Sequence, residues 1–208
     1  MSVENFILSS AIIGFLAFLG DFIITFIFGY LKEDYSFIED TMSELGNRKS
    51  KFKTIFRMWW IVWGICIITF GIGFGFYYYN PLYEGIILAT AILISVFGFG
   101  AGIVAGIFPE DSKGEKESIS GKIHGIFAGI GFLTLLVVPS ILGSISDRIF
   151  LAVSVIAQIL GVICFALFML SKNPKISKSG LWQRLFLLVY YSYLTIYAFF
   201  MFINPEMG

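Results

Sequence analysis

His124 is the only histidine in the chain, and it follows the charged stretch FPEDSKGEKESISGK at 108–122. A histidine can pass a proton near neutral pH or ligate a metal. Glu110, Asp111 and Lys122 lie close to it in sequence, on a loop that leaves one apolar segment and enters the next. A second polar group sits far upstream in TMSELG, where Ser43 and Glu44 occur side by side. A serine–glutamate pair, an aspartate and a histidine on one face could make an acid/base site or a hydrated metal site. The structural alternative for His124 is a ring that hydrogen-bonds a loop carbonyl. For Glu44 and Asp111 it is a solvated loop charge.

Asp21 is the other residue that demands an explanation. It lies nine residues before Tyr30 in an apolar run, which is roughly 13 Å of helix. An aspartate at the centre of a membrane span costs about 2.5–3.5 kcal/mol on insertion scales. It must therefore be paired, hydrated or protonated, and such a residue marks a site unless it serves as a buried hydrogen-bond partner. Thr25, Gln158 and the stripe Tyr190, Tyr193, Tyr197 are its candidate partners, although aromatics at helical spacing usually pack as core.

The elements that must position these groups are membrane spans. The 208 residues are 58% hydrophobic and 13% charged, with a mean hydropathy of +0.88, whereas a soluble domain is about 45–50% apolar and about 25% charged. Six segments reach the roughly 20 apolar residues a crossing needs: about 5–30, 55–79, 83–108, 120–143, 148–171 and 182–203. The expected fold is all-α, a single bundle of six transmembrane helices. A short interfacial amphipathic helix is expected in the first loop, from the capping box Ser36 to Glu39 and the one-sided placing of Phe37, Ile38, Thr41, Met42 and Leu45. No half of the chain repeats the other, which leaves an inverted-repeat transporter without support.

The basic residues set an orientation. Thirteen of the fourteen flank the first, third and fifth connections, and Arg148 alone lies on the other face. Lysine and arginine favour the cytoplasmic side. Loops 31–54, 109–119 and 172–181 are therefore expected in the cytoplasm of a cell-membrane protein, with both termini outside. Trp59, Trp60, Trp63, Trp182 and the tyrosines of 77–79 fall near span ends, as an aromatic belt does. Gly98, Gly102 and Gly106 precede the FPED loop, and Gly121, Gly125 and Gly129 follow it. Both sets have four-residue spacing, which suggests two glycine faces packed together. These glycines also leave a homodimer open.

Ser43-Glu44-Leu45-Gly46, then Phe108-Pro109-Glu110-Asp111, then His124 at the start of the fourth span resemble the six-helix membrane family catalogued as domain of unknown function 998. The resemblance covers the whole chain in span number and loop lengths. It implies that Ser43, Glu44, Gly46, Pro109, Asp111 and His124 match the family's motif positions. It carries no activity.

Several chemistries drop out. Two-histidine haem needs a second histidine, and a retinal Schiff base needs a lysine deep in a span. Zinc hydrolase sites use two or three histidines or cysteines, and Cys66 and Cys164 lie alone in apolar runs. No GxxxxGK loop exists. With a net charge of zero, nothing points to nucleic acid. No cofactor and no resident metal is expected, and the partners expected are membrane lipids. Three readings follow. The first is a cytoplasm-facing pocket that binds a lipid headgroup or small ligand through His124, Asp111, Glu44, Ser43, Lys122 and Asp21. The second is a lipid-modifying hydrolase using His124 with Asp111 or Glu44, and Ser43 as nucleophile. The third is an ion- or proton-coupled transporter using Asp21. The first is preferred because it needs the fewest special residues.

Overall fold

The structure is a computed structural model that describes residues 1–112, 114–171 and 177–205. Lys113, Lys172 and Lys175, three of the residues behind the expected orientation, lie outside the described residues. Six helices are long and apolar enough to cross a membrane. They are α1 (Val3–Leu31), α2 (Lys53–Tyr77), α3 (Glu84–Ile107), α4 (Ile119–Gly143), α5 (Arg148–Leu170) and α6 (Ser179–Ile203). Each matches its expected segment to within a few residues. No strand occurs among the described residues. The protein is an all-helical, multi-pass membrane protein.

Side-chain caps start several of these helices. Ser2 Oγ accepts the Asn5 N–H, Ser118 Oγ accepts the Gly121 N–H, and Asp147 Oδ1 accepts those of Ile149 and Phe150. Each satisfies donors that the first turn leaves without an intrahelical partner. The interior is aromatic: Phe56, Phe70, Phe74, Phe97, Phe186, Tyr190 and Tyr193 are fully buried. The outward faces expose Phe15, Leu88, Ile156 and many similar residues, the surface that lipid tails cover.

The glycines pack differently from the expectation. Gly98 and Gly102 let α3 approach α2 at Gly64, and a Cβ on Gly106 would crowd Ile61 and the Arg57 carbonyl. The α3–α4 approach instead uses Gly100, against the Phe127 carbonyl, and Gly131, against Ala101. Four-residue spacing keeps Gly98, Gly102 and Gly106 on one face of α3 through the π-helical stretch Gly98–Val104, and α2 rather than α4 lies against that face. Gly121 packs on the Asp111 carboxylate, while nothing lies within 4 Å of a Cβ built on Gly125 or Gly129.

The first loop also differs. It forms turns and one four-residue 3-10 helix, Met42–Leu45, with Met42, Glu44 and Leu45 buried, in place of a surface-lying amphipathic helix. Local side-chain bonds compete with helical ones here. Ser36 Oγ accepts the Glu39 N–H, and Asp40 Oδ2 accepts the Ser36 N–H. The start of α6 holds the loop in place. Arg184 Nη1 donates to the carbonyls of Phe37 and Asp40, its Nη2 donates to the Tyr35 hydroxyl, and the Leu181 N–H donates to the Ile38 carbonyl. Burial pushes the Tyr35 phenol up to about 12.

Candidate functional site

A cavity of about 220 Å³ lies inside the bundle where the first and third loops meet the helices. All six helices line it: Asp21 from α1, Trp63 from α2, Ala101 from α3, His124 from α4, Phe165 from α5, and Gln183 and Tyr191 from α6. Thr41, Ser43 and Glu110 line it from the loops. Its walls are alanine, glycine and phenylalanine between two polar groups of residues.

The first group centres on His124, which is buried at 3% exposure. Its Nδ1 lies 2.9 Å from the Phe108 carbonyl and its Nε2 lies 3.1 Å from Ser43 Oγ. A carbonyl only accepts, so Nδ1 carries the proton and the neutral ring's Nε2 accepts the Ser43 hydroxyl. The ring therefore makes the loop-carbonyl contact and also meets the serine. Ser43 is held by its neighbours. The Met42 N–H donates to Gln183 Oε1 at 2.7 Å, Lys32 Nζ donates to the Glu44 carbonyl at 2.7 Å, and the Tyr35 hydroxyl donates to the Thr41 carbonyl at 2.9 Å.

The second group lies deeper. Tyr191 donates its hydroxyl to Asp21 Oδ2 at 2.9 Å, and Trp59 Nε1 approaches Oδ1 at 3.4 Å. Both partners are neutral, and no described lysine or arginine lines the cavity. Trp63 Nε1 is buried with no hydrogen-bond partner among the described residues. A buried donor left so costs about 1–3 kcal/mol. Gln183, which lines the cavity, spends its Oε1 on Met42, and its Nε2 bonds no described residue.

The other sequence candidates lie elsewhere. Glu44 is buried, but its Oε2 accepts from Asn47 Nδ2 at 2.7 Å and it does not line the cavity. Asp111 accepts the Ser118 N–H and hydroxyl, both at 2.7 Å. The Ser118 main-chain bond, followed by its hydroxyl, holds this carboxyl below the usual aspartate range. Asp111 thus ties the third loop to the start of α4. Glu115 is lowered likewise, chiefly by Lys49, which sits 2.8 Å away. Lys122 is exposed and lies 3.7 Å from Glu117. Gln158 accepts from Ser140, and Thr25 is buried without lining the cavity. Tyr193 bonds Ser154 and Tyr197, and Tyr190 bonds the Leu136 carbonyl, so that stripe is core. Among the described residues no three His, Cys, Asp or Glu side chains converge on one point.

A family model described as "Protein of unknown function (DUF998)" matches residues 12–199. The chain belongs to the DUF998 family. No curated protein and no solved structure matches this DUF998 chain. Three residues of the cavity escaped the sequence reading: Tyr191, Gln183 and Trp63. Tyr191 lies one position off the tyrosine stripe. Trp60 and Trp63 resemble belt residues in sequence, yet they are 6% and 3% exposed.

Proposed function

We propose that this DUF998 protein binds the polar end of a neutral amphiphile, such as a membrane lipid with an ester or hydroxyl, inside the six-helix cavity. The observation that carries this reading is Trp63, which lines the cavity and whose indole N–H is closed off from water without an acceptor among the described residues. A ligand oxygen would satisfy it. Gln183 Nε2 offers another donor, and Asp21 offers an acceptor. The ligand is neutral for a physical reason. An anionic headgroup would be desolvated beside the Asp21 carboxylate with no cation on the described cavity wall, and a buried charge without a partner is expensive. Two of the basic residues near the loops are committed elsewhere: Arg57 donates to the carbonyls of Gly106 and Ile107, and Lys32 to that of Glu44.

The apolar tail would leave sideways. Gly125 and Met169 both line the cavity and are exposed on the bundle surface, and no neighbour closes the space beside Gly125 and Gly129. Small residues there act as a doorway between α4 and α5. The charge bias favours the cytoplasmic leaflet for this doorway, with both termini outside a cell membrane.

The test is mass spectrometry of lipid retained by the purified full-length protein, beside Trp63→Phe. That substitution keeps a ring opposite Phe97, whose centroid is 5.3 Å from that of Trp63, and removes the donor together with part of the indole's volume. One hydrogen bond of about 1.4 kcal/mol predicts roughly tenfold less retained neutral lipid. Equal retention in both, or only phospholipid in both, overturns the reading. A cysteine placed at Lys51 and one at Asn80 should label from opposite sides of the membrane, the first from the cytoplasm.

A further inference from the structure

We infer that Ser43 and His124 are a nucleophile and its base, cleaving a carboxylic ester held in the cavity; this rests on the cavity binding an ester-bearing amphiphile. The two residues are 81 positions apart, on different elements, and meet at 3.1 Å. The contact has the polarity that a general base needs. The Phe108 carbonyl accepts from Nδ1–H, so in the neutral ring Nε2 presents its lone pair to the serine hydroxyl. In a Ser-His-Asp triad a carboxylate orients the ring; here a main-chain carbonyl does so.

Ser43 also differs from two serines of the helices, buried Ser10 and half-buried Ser95. Ser10 and Ser95 donate to carbonyls of their own helix, Ile7 and Ala91, which is the ordinary use of a helical hydroxyl. Ser43 donates to an imidazole on a cavity wall, and its neighbours hold its backbone through both Met42 and Glu44. Beside it, Gln183 is anchored through Oε1 and presents an uncommitted Nε2, the donor that an ester carbonyl requires as its oxygen becomes anionic.

The reaction balances with water as the only co-reactant. Ser43 Oγ bonds to the ester carbonyl carbon while His124 Nε2 takes the hydroxyl proton. The negative charge gathers on the carbonyl oxygen and is met by Gln183 N–H. The bond from carbonyl carbon to alkoxy oxygen then breaks, and the alcohol departs with the proton from Nε2. Water repeats the sequence on the acyl-serine. It gives its proton to Nε2, the carboxylic acid leaves, and the proton returns to Ser43.

The test uses full-length protein in detergent, a fluorophosphonate probe and a fluorogenic neutral fatty-acid ester. The expected result is covalent labelling that peptide mapping places on Ser43. Labelling and ester turnover should vanish in Ser43→Ala and fall at least about 100-fold in His124→Asn, the range for loss of a general base. Ser43→Cys should lose fluorophosphonate labelling and gain iodoacetamide labelling that His124→Asn slows, which keeps the test sound if Ser43→Ala unfolds. Labelling that persists in Ser43→Ala overturns the inference, as does a native protein that neither labels nor turns over ester. If that inert protein still retains neutral lipid, the chemistry fails and the binding reading stands. If it retains none, both fail.

Discussion

Tyr191→Phe removes one hydroxyl from the floor of the cavity, and its cost can be worked out. Tyr191 and Asp21 are both 3% exposed, and their bond is 2.9 Å long. Without it Asp21 keeps only the Trp59 contact at 3.4 Å, which is long for an N–H···O bond. A bond to a carboxylate contributes about 1.5–3 kcal/mol. For a chain of this size each kcal/mol moves the Tm by roughly 2–4 °C, so Tyr191→Phe should lower it by about 3–12 °C. Asp21→Ala takes the acceptor out of the same bond and should cost at least as much. Because both substitutions break one interaction, the double variant should lose less than the sum, with a coupling of about 1 kcal/mol or more. The assay is thermal unfolding in detergent, followed by a thiol-reactive dye at Cys66 and Cys164, which are half-buried and buried in the folded protein. A Tyr191→Phe shift below about 1 °C, or effects that add to within about 0.5 kcal/mol, would refute the pairing.

Three further outcomes follow from the geometry. Arg184→Met leaves the carbonyls of half-buried Phe37 and of buried Asp40 and Gly180 short of a donor; it should destabilise the protein by about 2–4 kcal/mol and raise protease cleavage of the first loop. Asp111 has a folded pKa below its ordinary value of 3.8, so its stabilisation is present above that value and is lost as pH falls through the folded pKa. Asp111→Asn should therefore lower the Tm at pH 6 and flatten the Tm decline below about pH 4. Gly121→Ala drives a methyl into the Asp111 carboxylate and should lower the Tm, whereas Gly125→Ala meets nothing and should leave it within about 2 °C. Gly125→Trp should also fold, yet block the doorway and deplete retained lipid.

Much of the architecture was legible in the residues, because a span announces itself through some twenty apolar positions in a row. All six came out within a few residues of their ends, and the three short motifs pointed to the family that matches residues 12–199. The site was legible only in part. Ser43 and His124 stood out by type, and Asp21 by depth. Nothing in one dimension shows that α6 brings Tyr191, 170 positions away, onto Asp21. Glu44, Asp111 and Lys122 had the right chemistry near the right place, but hydrogen bonds to Asn47, Ser118 and an ion pair with Glu117 turn them away. The one-sided pattern of 36–46 does not become a surface helix, because Ser36 and Asp40 spend their side chains on the local backbone. The four-residue glycine spacing defines one face of α3 but not which neighbour covers it, and Gly98, Gly102 and Gly106 meet α2.

The most direct measurement is an experimental density map of the full-length protein in lipid nanodiscs, read at the cavity. The account expects an elongated ligand whose neutral oxygen lies within hydrogen-bond reach of Trp63 Nε1, whose carbonyl lies near Ser43, and whose tail passes Gly125 between α4 and α5. A cavity that is collapsed, or that holds only water bridging Trp63 and Asp21, would contradict it.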